Sequence, residues 1–136
     1  MTIPARYVLD TNIITAILRK ETRTTSRLSR ALASNAEFLI CPVVFYETYR
    51  GLLHRDAKDQ LDFFLEYVAT FTWEDLRRQD WQAAAHLWSR LRAQGQQGQD
   101  ADLLIGAYAA RCGAVLVTDN EKHFALTDVP VENWRR

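Results

Sequence analysis

The chain has 136 residues, 48% of them apolar and 25% charged, which is the size and composition of one compact domain, 1–136, with one core. Its net charge is zero, which excludes the global basic footprint of a protein that coats nucleic acid, though not local holding of one. Two cysteines without a Cys-x-x-Cys spacing exclude a disulfide framework and a cysteine zinc site, and no run approaches the ~20 apolar residues of a membrane span.

Arg6-Tyr7-Val8-Leu9 reads as a short buried strand ending at Asp10. Asp10-Thr11-Asn12 is a helix-start signal, and Ile13, Ile14, Ile17 and Leu18 continue it as a helical stripe. A second helix is predicted from Thr24 to Asn35, with Leu28, Ala31 and Leu32 on one face. Glu37 to Cys41 is the second strand, and Pro42 opens a helix to about Leu53 that carries Glu47. Leu61, Phe64, Leu65 and Val68 share one helical face, so 57–68 is helical. A third strand is expected from Ala69 to Trp73, followed by the longest helix, Asp75 to Ala93. In it Trp81, Ala84, Ala85 and Trp88 form a stripe. Trp73, Trp81, Trp88 and Phe124 are candidates for base stacking or an interface, but the stripe favours core or dimer packing for Trp81 and Trp88.

The polar segment Gln94-Gly95-Gln96-Gln97-Gly98-Gln99 is a loop. Asp100 opens, as a cap, a helix over 101–111 that is apolar nearly all round. Ala114 to Thr118 is a strand ending in Asp119, and Val129 to Val131 is a last one. Apolar strands that alternate with helices require a parallel sheet covered on both faces, with right-handed connections. Cys41 and Cys112 lie beside apolar segments and are expected as buried free thiols. Two basic stretches, Arg19 to Arg30 and Arg50 to Arg55, read as solvated helix faces. The N-terminus has no basic region followed by an apolar core, so a cytoplasmic location is expected.

Ligand sites of open parallel sheets form beyond the carboxyl ends of the strands. Asp10 and Asp119 fall at such ends, Glu47 lies about one turn into the third helix, and Asp102 opens the most apolar helix. Each has a plain alternative: a helix cap for Asp10, a pair with Arg50 for Glu47, a turn for Asp119 and a dipole partner for Asp102. Gathered in one pocket, the four carboxylates would repel one another unless a cation compensated, and clustered carboxylates select Mg²⁺ or Mn²⁺. Such a site suits phosphodiester hydrolysis without a histidine base or covalent nucleophile. A phosphatase with an Asp nucleophile would need a second acid where Asn12 stands, and no Gly-x-Gly-x-x-Gly follows a strand.

Four blocks carry a family resemblance: Tyr7-Val8-Leu9-Asp10-Thr11-Asn12-Ile13, Val43 to Leu52 around Glu47, Asp102-Leu103-Leu104-Ile105-Gly106-Ala107, and Val115 to Asn120 with His123-Phe124. In that order the chain resembles PIN-domain ribonucleases, specifically the VapC-type toxins of toxin–antitoxin pairs. The resemblance implies a three-layer α/β/α domain around a parallel sheet of about five strands. It also implies Mg²⁺- or Mn²⁺-dependent endoribonuclease activity through a metal-activated water. Asp10 and Asp102 would be the principal metal ligands, Glu47 would complete the site directly or through water, and Asp119 would be the fourth acid. Asn12, Thr118 and Asn120 would support the site, and Asn120 is the alternative to Asp119 as the residue facing it. Asp100 would reach a second metal through water. An RNA substrate, a cognate antitoxin and a homodimer are implied as partners. The alternative is a catalytically silent module of the same fold that binds RNA or a partner.

Overall fold

The computed structural model describes residues 3–125 and 127–136. The elements in order are β1 (Arg6–Leu9), α1 (Thr11–Leu18), α2 (Thr22–Ala33), β2 (Glu37–Ile40), α3 (Pro42–His54), α4 (Lys58–Val68), β3 (Thr72–Trp73), α5 (Arg78–Ala93), α6 (Asp100–Arg111), β4 (Val115–Val117), a short 3₁₀ helix (Glu121–Phe124) and β5 (Val131–Glu132). The five strands form one parallel sheet in the order β3-β2-β1-β4-β5, with Val8 opposite Leu39 on one side and Leu116 on the other. Six helices flank it, the α/β/α arrangement expected from alternating apolar strands and helices.

From β1 the chain steps outward to β2 and β3, then crosses back to lay β4 against the free side of β1. Right-handed connections therefore put α1 to α4 on one face of the sheet and α5 and α6 on the other. The order reverses between β1 and β4, and such a reversal is where ligand sites of open parallel sheets form, beyond the carboxyl ends of the strands. Asp10 and Asp119 leave the sheet at that point.

The main core joins Val8, Leu39, Ile40 and Leu116 of the sheet to Ile13, Val44 and Phe64 on the α1–α4 side. Ile105, Tyr108 and Ala109 of α6 complete it. Cys41 and Cys112 are both buried free thiols, and burial pushes the Cys41 thiol up to about 12.

Several boundaries differ from the sequence reading. Helix α2 starts at Thr22, and β3 is reduced to Thr72–Trp73 because Ala69 caps α4 and the next two residues turn. Helix α5 starts at Arg78: the Asp80 carboxylate accepts the Arg77 backbone N–H (2.9 Å) and sets the start there. Asp100 is not the cap of α6. It is the first helical residue, and Gln99 stands at the cap without a side-chain bond.

Trp81 and Trp88 are not core residues either, being 55% and 42% exposed. The face that α5 buries is Asp80, Ala84 and Leu87, packed on Leu103 and Ala107 of α6. The close approach of two helices favours small residues, so Ala84 takes the seam and the indoles flank it. Phe124 is buried, which removes it from base stacking.

Candidate functional site

Asp10 follows β1 in extended conformation and caps α1. Its Oδ1 accepts the Thr11 backbone N–H (2.8 Å), and its Oδ2 accepts the Thr118 hydroxyl (2.7 Å) and, at 3.4 Å, the Asn12 amide. The residue is only 4% exposed. Burial holds its carboxyl above the ordinary range. The Thr118 and Thr11 hydrogen bonds pull it back, and the charges of Asp102 and Glu47 push it up again. Asp10 is thus a helix cap and at the same time a carboxylate under the field of two others.

Glu47 reaches α1 from α3: its Oε1 accepts the Thr11 hydroxyl (3.0 Å). The anticipated pair with Arg50 is loose, with 4.0 Å between Nη2 and Oε2. Thr11 therefore joins the two acids, giving its backbone N–H to Asp10 and its hydroxyl to Glu47.

Asp102, in the first turn of α6, is partly buried, and its Oδ2 lies 2.8 Å from Nδ1 of His123. In the sequence His123 has no role of its own beyond its place in the fourth family block. The short 3₁₀ helix after β4 carries it back, its backbone N–H bonded to the Asn120 carbonyl (3.0 Å). The available signal was its place in the same block as Asp119.

Asp119 and Asn120 divide their roles. The Asp119 backbone N–H bonds to Asn12 Oδ1 (3.0 Å), while its carboxylate turns to the C-terminal tail, accepting from Asn133 (3.2 Å) and Arg135 (2.9 Å). Arg135 also holds Glu21. The Asn120 backbone N–H binds the Thr118 hydroxyl oxygen (3.0 Å). Thr118, fully buried, links this turn to Asp10. Asp100 is exposed and lines a hollow with Trp81, Trp88 and Leu104, two residues along α6 from Asp102 and so on another side of that helix.

Asp10 therefore lies in the field of Glu47 and Asp102, with Thr11, Thr118, Asn12 and His123 around the three. Among the described residues no three acidic, His or Cys side chains stand close enough to clasp one ion as they are. Thr11 and His123 take up two of the three carboxylates, Glu47 and Asp102. The donor set consists of hard carboxylate oxygens, which fits Mg²⁺ or Mn²⁺ and does not fit a thiolate-loving metal.

The PIN domain family model matches residues 7–129. Ribonuclease VapC2 of Rickettsia felis is 29% identical over 141 residues, covering 94% of this chain and 97% of that one. A chain of VapBC2 from Rickettsia felis, solved bound to a DNA fragment from their promoter, superposes with a TM-score of 0.79 at 27% identity, over 95% of this chain and 98% of its own. A chain of VapBC-1 from nontypeable Haemophilus influenzae shares the fold with a TM-score of 0.81 at 22% identity, over 96% and 99%. A family match over most of the length, on a fold shared end to end, makes this chain a member of the PIN domain family.

Proposed function

We propose that the chain is a Mg²⁺- or Mn²⁺-dependent endoribonuclease and the toxin of a toxin–antitoxin pair. The observation that carries the reading is Asp10, a carboxylate at the sheet's reversal point whose ionisation is opposed first by its burial and then by the charges of Asp102 and Glu47. Asp10 and Asp102 would hold the ion, with Glu47 completing the set directly or through water. When bound, such an ion supplies Lewis-acid stabilisation of phosphate charge and a water acidic enough to attack at neutral pH.

The chain's own residues supply the rest. Thr118 and the Thr11 N–H fix the rotamer of Asp10, so the carboxylate is held in place before anything binds. The Thr11 hydroxyl fixes Glu47 in the same way, and His123 orients Asp102. The position of Asp119, held by Arg135, supports a role at the edge of the site rather than in the first grip on the ion. The similarity to chains of VapBC complexes supports a cognate antitoxin as partner. A basic antitoxin side chain would neutralise the same carboxylates. The exposed indoles of Trp81 and Trp88, beside Leu104, offer an apolar face for the homodimer.

Purified protein incubated with total RNA tests this reading. Cleavage should require Mg²⁺ or Mn²⁺, stop with chelator and fall at least about a hundredfold in Asp10→Asn and Asp102→Asn. Variants that cut as fast as the parent would refute it. The silent-module reading is favoured by the separation of the carboxylates, and predicts neither metal binding nor cleavage.

A further inference from the structure

A cluster of carboxylates repels a polyanion, and this chain has no net positive charge to offset that. Nucleic acid must then be drawn in by cations placed at the rim. Arg50 is such a cation. It lies one turn after Glu47 on α3, its guanidinium reaches only to 4.0 Å from the Glu47 carboxylate, and it is more than half exposed. The same guanidinium lies over the ring of Tyr46, 4.9 Å from the centroid.

Tyr46 itself is 61% exposed. It immediately precedes Glu47, and its ring, the guanidinium and the Glu47 carboxylate form a continuous row at the edge of the acidic group. A large exposed aromatic ring with a cation on one side is what a single-stranded nucleic acid needs. A base with no stacking partner gains by lying on the ring, and its phosphate gains a planar donor.

We propose that Tyr46 and Arg50 form a docking step for one nucleotide of single-stranded RNA beside the carboxylates, Tyr46 taking the base and Arg50 an adjacent phosphate. The proposal rests on the ribonuclease reading and adds the substrate contact to it. The long Glu47–Arg50 separation leaves Arg50 free to turn to a phosphate at little cost. A base on Tyr46 would be unpaired, so the step selects loops and single strands over duplex.

The test is fluorescence anisotropy with a short labelled single-stranded RNA in chelator, where no cleavage occurs, beside cleavage of the same RNA in Mn²⁺. Tyr46→Ala should weaken binding roughly tenfold, and Tyr46→Phe, which keeps the ring, should restore it. Arg50→Gln should lower the slope of log affinity against log salt by about 0.7, the loss of one single-strand phosphate contact. Thermal unfolding of all three should match the parent, because neither side chain is buried. The KM for cleavage should rise with little change in kcat. Unchanged binding in Tyr46→Ala and Arg50→Gln, in a parent that cleaves RNA, overturns the docking step and leaves the nuclease reading standing. A parent that neither binds nor cleaves RNA overturns both.

Discussion

Asp10 carries the clearest consequence at the scale of single residues. Its carboxyl is held above its ordinary value of 3.8, so the folded chain binds a proton there that the unfolded chain has already released. In that window the folded state holds more protons, and stability of the metal-free protein falls as pH rises from the ordinary value through the raised one. Above both, the cost of the buried charge is fully present. Asp10→Asn should therefore raise the melting temperature by a few degrees in chelator at neutral pH, and the gain should vanish in strong acid. Scanning calorimetry at two pH values reads this directly; a variant less stable than the parent at neutral pH would mean that the carboxylate is stabilising as it stands. Asp10 was legible from the sequence because a strand end, a cap signal and an acid coincide there. The roles of Thr11 and His123 were not: Thr11 looked like part of a capping signal, and His123 meets Asp102 only because the chain turns back after β4.

Between elements, the α5–α6 seam shows what periodicity can and cannot reveal. The stripe Trp81, Ala84, Ala85 and Trp88 announced the helix, but of its members only Ala84 is buried, since large apolar residues outrank a buried acid in any hydrophobic pattern. Asp80, 1% exposed, sits on the true inward face because Arg111 of α6 meets it at 2.7 Å, with Glu74 also on that guanidinium at 3.2 Å. The Arg111 guanidinium is correspondingly held more firmly protonated than usual, chiefly by its bond to Asp80. Tyr108 adds a bond from its hydroxyl to the Glu74 carbonyl (2.8 Å). Arg111→Ala leaves the buried Asp80 with the Arg77 backbone N–H but no cation, a loss of about 3–5 kcal/mol by the measure of broken buried pairs. Urea unfolding should show it, and the double variant Arg111→Met with Asp80→Leu should recover much of the loss. Equal stability of Arg111→Ala and parent would show that water reaches Asp80.

Across the whole molecule, the alternation of elements implied a parallel sheet but not its strand order, and the reversal between β1 and β4 is what brings Asp10 to the neighbourhood of Asp119. The short strands β3 and β5 were located only approximately, because two residues in a ladder leave little pattern to read. The Asp119 carboxylate ties this centre to the C-terminal tail through Arg135, a contact between distant chain segments that no local pattern announces. At this scale the proposed homodimer rests on the exposed Trp81 and Trp88. Sedimentation of Trp81→Glu/Trp88→Glu should show a monomer where the parent shows a dimer, and an unchanged dimer would place the interface elsewhere.

The proposed function requires that Asp10, Glu47 and Asp102 share a divalent cation. Calorimetric titration of Mn²⁺ into the parent and into Asp10→Asn and Asp102→Asn reads it most directly. Saturable binding is expected in the parent, weakened at least about tenfold by both substitutions. A parent that takes up no Mn²⁺, or variants that bind it as tightly as the parent does, would contradict it.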